Sequence, residues 1–365
     1  MPGSMLPIVK VRMPPADELM PLLEKVLYGG MLAEGEQVYE FERRFAERFD
    51  LPGVLGFSSG TGALHVALLS CGVGPGDEVI TTSMTAEPTN TTILQAGAAP
   101  VFADVEPDTG NLDPRSVEAC IGPRTRAILL VHYAGYPVRL TALREIADRH
   151  GVALIEDCAH ALGARYCGAA VGTLGDAAIF SFQAIKHMTT VDGGALVLRD
   201  PARVRDARKL RWFGMEKGVP RTEVDITRAG YKYNMTNVAG ALGLRQLDGI
   251  DAAIDRHKEN GRFFDAELAG VPGLAVVPIE EGSKPSYWIY TLLADDSDAV
   301  EHRLADIGVA AGKLHRPNHL HSVFAPYRRE LPGLEEFYRR LVHIPCGWWV
   351  GGDDRARIVD ALRRG

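Results

Sequence analysis

Nine lysines stand among the 40 basic residues of this 365-residue chain, so arginine is its ordinary surface cation. Between Lys25 and Lys209 there is a single one, Lys186. It lies in Ser181-Phe182-Gln183-Ala184-Ile185-Lys186-His187-Met188-Thr189-Thr190-Val191-Asp192-Gly193-Gly194, just past a run that reads as a strand. A lysine at the carboxyl end of a buried strand is suited to Schiff-base chemistry, because desolvation disfavours the ammonium and frees the amine. Position alone leaves an ordinary surface lysine as the commoner reading.

Two further motifs could do chemistry. In Phe57-Ser58-Ser59-Gly60-Thr61-Gly62-Ala63-Leu64-His65 a strand ends in small residues and opens a helix. Gly60 would let backbone approach closely, and the amides of Thr61 and Gly62 would sit where a helix N-terminus presents free donors to an anion. The pattern is neither a Walker loop nor GxGxxG, and an N-capped core helix explains it equally well. In Ala153-Leu154-Ile155-Glu156-Asp157-Cys158-Ala159-His160 an acidic pair closes a strand, with a histidine three residues beyond. A buried carboxylate there needs a cationic partner. The protonated pyridine nitrogen of pyridoxal phosphate would supply one; a carboxylate capping the next helix is the local alternative.

The elements that must position these groups alternate. Strands are expected at Glu78–Thr82, Pro100–Ala103, Ala127–Val131, Ala153–Ile155 and Ala178–Phe182, with a helix over Leu140–His150. That alternation implies crossover connections and an α/β fold with a mostly parallel sheet between helices, whose ligands sit beyond the carboxyl ends of the strands. One long helical stretch is expected from Thr236 to Leu268. Strands at Leu274–Pro278 and Tyr287–Leu293 and a helix at Ala299–Ile307 follow. This predicts a large domain over residues 1–250, with an N-terminal arm, and a small C-terminal α+β domain over 251–365.

Composition narrows the function. The formal charge of -7 and the lack of a basic block argue against nucleic acid as a partner. No apolar run approaches the ~18 residues of a membrane span. Five scattered cysteines, never in CxxC, exclude a zinc ribbon by spacing and fit a reducing cytoplasm; no metal site is expected. Met1-Pro2-Gly3-Ser4-Met5 has no signal-peptide character and reads as an appended leader before a natural Met5.

Taken in order, the motifs resemble the sugar-nucleotide aminotransferases of the DegT/StrS type, pyridoxal-phosphate enzymes of the aspartate-aminotransferase-like fold type I. The resemblance runs from about Gly30 to the C-terminus. It is carried by Gln37-Val38-Tyr39-Glu40-Phe41-Glu42, by the three motifs above, and by Gly230-Tyr231-Lys232-Tyr233-Asn234-Met235-Thr236-Asn237. It implies pyridoxal 5'-phosphate as cofactor, with pyridoxamine 5'-phosphate as intermediate. Lys186 would hold the cofactor as a Schiff base and move a proton between the substrate carbon and the cofactor C4′. Asp157 would pair with the pyridine nitrogen, and His160 would pack beside the ring or bond its phenolic oxygen. Gly60, Thr61 and Ser181 would bind the phosphate, and Asn234 would reach that phosphate from the neighbouring subunit of a homodimer with shared sites. One departure stands out: relatives commonly carry Trp, Phe or Tyr at Ala86, where it stacks on the ring. Met84 and His160 are candidates to fill that face.

The resemblance implies amino transfer from an amino acid, usually glutamate, to a keto-sugar nucleotide. The stretch Gly230 to Asn237 looks most like members acting at C4 of the sugar. In Lys313-Leu314-His315-Arg316-Pro317-Asn318-His319, His315 and Arg316 are candidates for the substrate diphosphate; a solvated loop is the alternative. A C3-sugar or cyclitol aminotransferase and a catalytically silent regulator of the same fold are the competing functions. Family dehydratases replace the lysine with histidine, whereas here Lys186 is present and His187 is only its neighbour. A silent regulator predicts a lost lysine or aspartate, and neither is lost.

Overall fold

The computed structural model describes residues 5–364, so the expected appended leader at 1–4 lies outside the described residues. The strands in chain order are β1 (Leu55–Phe57), β2 (Glu78–Thr82), β3 (Ala99–Ala103), β4 (Thr125–Val131), β5 (Ala153–Asp157), β6 (Arg165–Tyr166), β7 (Ala169–Ala170), β8 (Ala177–Ser181), β9 (Gly194–Leu198), β10 (Leu274–Val276), β11 (Ser283–Lys284), β12 (Tyr290–Ala294) and β13 (Leu341–Ile344). Seven of them form one sheet in the order β1-β9-β8-β5-β4-β2-β3. Pairing is parallel from β8 through β3, and β9 alone runs against its neighbours. The apolar runs at Ala127–Val131 and Ala177–Phe180 are buried throughout, as a sheet covered on both faces requires.

Helix Gly60–Ser70 packs on one face with Ala63, Val66 and Ala67 against Ile155 and Ile179. Helix Leu140–His150 covers the other, with Leu143, Ile146 and Ala147 against Ile128 and Leu130. Its 3.6-residue apolar spacing matches that role. Both faces are therefore dry, and chain turns carrying polar groups are left to the sheet's ends.

Two of the expected elements differ from the observed ones by more than two residues at an end or by a break. The long helix divides into Asn237–Leu247 and Ile250–Leu268. At the break the N-terminal arm crosses: Arg12 donates to Gln246 Oε1 at 2.9 Å, Gln246 Nε2 donates to the Arg12 carbonyl at 2.7 Å, and the guanidinium occupies the space a Cβ at Gly249 would need. Periodicity cannot reveal a segment arriving from 234 residues away. The strand expected from Tyr287 begins at Tyr290, because Tyr287 lies in the left-handed region at φ 48°. Strands β10, β12 and β13 form a separate antiparallel sheet in the order β10-β12-β13. Among the described residues no helix is long and apolar enough to cross a membrane.

Candidate active site

The carboxyl ends of β1, β4, β5 and β8 open on one side of the sheet, around a cavity of ≈ 350 Å³. Gly60, Thr61, Asp157, His160, Ser181, Lys186 and His315 all line it. Side chains alternate across a strand, and this separates the acidic pair. Asp157 faces the cavity, while Glu156 is turned away, accepting from the amides of Gly172, Leu174 and Gly175 and from His132. Glu156 thereby holds the turn before β8.

Lys186 owes its place to the antiparallel pairing of β8 with β9. Ser181 pairs with Gly194, so residues 182–193 form a loop whose two ends are fixed at the cavity rim. Phe182 and Thr190 tie the loop internally, the Phe182 amide donating to Gly193 and the Thr190 amide to Phe182. Burial lowers the Lys186 amine to about 7, opposed by the nearby Asp157 carboxylate. Asp157 is buried, accepts from Thr89 Oγ1 at 2.8 Å and from the Ala159 amide at 3.0 Å, and has its pKa raised, chiefly by desolvation. The two hydrogen bonds favour the carboxylate. The cavity thus offers a nucleophilic amine near neutrality and an acceptor waiting for a cation.

At the other end of the cavity, helix Gly60–Ser70 points its N-terminus inward. Ser59 caps it, its Oγ accepting from the Gly62 amide at 3.0 Å and its carbonyl from Ala63. The capped helix and the anion cradle are therefore the same structure: the amides of Gly60 and Thr61 remain for a ligand. A Cβ on Gly60 would lie 3.1 Å from the Ser181 Cβ and 3.2 Å from its Oγ, so glycine keeps the cradle open. Gly194, unremarked by spacing, is needed for the same reason, since a Cβ there would meet the Gly60 nitrogen at 2.6 Å.

The family model for DegT/DnrJ/EryC1/StrS aminotransferases matches residues 16–363. The chain belongs to that family. It is similar to the sugar aminotransferase CalS13 of Micromonospora echinospora, 39% identical with a TM-score of 0.95, over 99% of this chain and 100% of that one. AtS13 of Actinomadura melliaura is 37% identical with a TM-score of 0.96, over 100% of both chains. The spore coat polysaccharide biosynthesis protein SpsC of Bacillus subtilis is 31% identical over 357 residues, 93% of this chain and 92% of its own. The family is one of pyridoxal-phosphate-dependent sugar aminotransferases.

For a DegT/DnrJ/EryC1/StrS protein the cavity is well suited to its cofactor. It combines an open amide cradle, a buried carboxylate and an enclosed amine with two buried ring nitrogens, His160 Nδ1 and His315 Nε2, that lack hydrogen-bond partners. Ala86 lines the cavity, whereas Met84 is buried in the core with Phe102 and Tyr133, which removes it as a candidate for the ring face. Arg316 is exposed and turned to the Leu320 carbonyl; unlike His315 it does not line the cavity. Asn234 also lies outside this chain's cavity, its Oδ1 accepting from Lys232 at 2.8 Å. Sequence reasoning missed Thr89, which donates to Asp157, and Trp288, whose ring centre lies 3.8 Å from the Lys186 Nζ. Thr89 had a weak signal in the hydroxyl-rich opening of the helix after β2, but nothing local connects Trp288 with Lys186.

Proposed function

We propose that this protein is a pyridoxal-phosphate aminotransferase that moves an amino group from an amino acid, glutamate, to a keto-sugar nucleotide at C4 of a 4-keto-6-deoxy sugar, in amino-sugar biosynthesis in the cytoplasm. The observation that carries the reading is the Lys186 amine, lowered to about 7 and lining the same cavity as the buried Asp157 carboxylate. Pyridoxal phosphate, when bound, supplies a protonated ring that takes up the electron pair left when a substrate C–H bond breaks. The Gly60 and Thr61 amides and Ser181 Oγ would hold its phosphate. Asp157 would keep the ring nitrogen protonated, and His160 would pack beside the ring. Lys186 would anchor the cofactor and, once free, carry the proton at its Nζ; a base poised near the working pH does so best. His315 would meet the nucleotide sugar.

The reading includes a homodimer with shared sites and a division at residues 250/251, which falls beside the helix break at Gly249. It is supported by apolar side chains left exposed near the Asn234 segment: Met31 at 59%, whose carbonyl accepts from Asn237, and Phe213 at 38%, whose amide donates to Tyr231, with Tyr28 at 87% three residues before Met31. A solvated Tyr28 and Met31 on one stretch suit a covered face.

The test is a panel of 4-keto and 3-keto nucleotide sugars, and a keto-cyclitol, offered with glutamate. A yellow protein bleached by glutamate, then converting the 4-keto sugars, is expected. Lys186→Ala should lose both turnover and borohydride-trappable cofactor while keeping its fold. Cofactor still reducible onto that variant, or preference for a 3-keto sugar or cyclitol, would overturn the corresponding part of the proposal.

A further inference from the structure

The Lys186 Nζ lies 3.8 Å from the centre of the Trp288 ring, well within the reach of a cation–π contact. The indole is itself held from several sides. Its Nε1 donates to the carbonyl of Ile185, the residue before the lysine, at 2.8 Å. His160 stacks on it at 4.0 Å with an interplanar angle of 18°. Trp288 is 1% exposed, and the backbone that delivers it is strained: Tyr287, at φ 48°, is a bulky residue in a region that favours glycine, anchored by its hydroxyl on Asp265 at 2.5 Å. One ring thus holds both the backbone and the amine of the active-site lysine.

The charged and titratable groups around that amine decide what the contact is for. Asp157 faces it from β5, His160 from the turn after β5, His187 from its own loop, and His315 from the 313–319 segment. The three imidazoles are held neutral by burial and offer the ammonium nothing. Asp157 favours the ammonium, yet on the proposed function its carboxylate is engaged by the cofactor nitrogen. The indole face then remains as the group that stabilises a charged Lys186.

We infer that Trp288 is a positioning residue for Lys186, its indole face being the resting place of the amine whenever that amine is not bonded to the cofactor, and the group that stabilises it when it carries a proton. The inference rests on the proposed function for its mechanistic meaning, while the contact itself is made between two of this chain's own side chains.

The experiment therefore uses the full chain stripped of cofactor. Lys186 is labelled competitively with acetic anhydride across a pH series, and its peptide is followed by mass spectrometry to give the midpoint of amine protonation. Trp288→Met, which fills most of the space without an aromatic face, should lower the midpoint by about half to one unit, roughly a threefold to tenfold change in the protonation equilibrium. Trp288→Phe should keep it near wild type. In the loaded enzyme, Trp288→Met should slow the glutamate half-reaction at saturation with KM little changed, and Phe should restore it. An unmoved or raised midpoint in Trp288→Met, or a Phe variant that falls with Met, overturns the inference. Failure to trap cofactor on Lys186 in the wild type would instead overturn the proposed function, leaving the labelling result to stand on its own.

Discussion

Asp157 shows how a residue's role follows from the balance of forces on one group. Burial alone would leave a neutral carboxylic acid. The Thr89 hydroxyl and the Ala159 amide bring the charged form back within reach, and a cation in the cavity completes the shift. Asp157→Asn keeps the shape and removes the charge. The variant should still bind cofactor on Lys186, with turnover reduced by orders of magnitude, measured as glutamate-dependent bleaching. Near-normal turnover would make Asp157 structural. Glu156, its neighbour, is committed to three backbone amides and His132 and is not available to take over.

Among the elements, the meeting of β9 with the N-terminus of helix Gly60–Ser70 is the tightest constraint on the site. Gly194 opens β9 where the backbone of Ser59 and Gly60 passes, with no room for a methyl group. Backbone on both sides cannot yield as a flexible side chain would. Gly194→Ala should therefore destabilise the chain by about 1–3 kcal/mol, as overpacking does, and lower cofactor affinity by displacing the Gly60 amide. Urea midpoints and cofactor titration check the two effects separately. Stability lost without any loss of cofactor affinity would show that the cradle does not depend on this contact.

At the scale of the whole molecule, many imidazoles are enclosed. Burial lowers His257 and His315 to about 4 and His343 to about 3, and places His160 and His187 well below their ordinary value. In the unfolded chain these groups take up protons near pH ~6.5. Between that pH and about 4 the unfolded state binds more protons, so stability falls as pH falls, by up to ~1.4 kcal/mol per histidine per pH unit. The raised carboxyls of Glu106, Asp157, Asp265 and Glu301 oppose this but are fewer. The Tm of the cofactor-free chain should drop steeply from pH 7 to 5, measured by circular dichroism; a flat profile would mean the imidazoles accept protons in place. Quaternary structure has its own test, mixing Lys186→Ala with Asn234→Ala subunits, each first shown to be impaired. With shared sites, one site of each heterodimer collects both defects and the other none, so activity returns. If Asn234 serves its own chain, every site keeps one defect and mixing restores nothing.

Much of the fold was legible in the chain itself. Buried strands announce themselves as β-branched apolar runs, and helix Leu140–His150 by its spacing, because both signals are local. Lys186, Asp157 and Gly60 were legible as residues of one site because each lies at, or a few residues past, a strand end or helix start, where an α/β sheet gathers its ligands, whereas Ser181 came from the family resemblance alone. What tertiary structure alone decided lies between segments distant in sequence. The Arg12 arm breaking the long helix, Gly194 beneath Gly60, Thr89 on Asp157 and Trp288 beneath Lys186 join residues 68 to 234 positions apart. Such contacts depend on how packed layers meet, and no periodicity in a single segment records them.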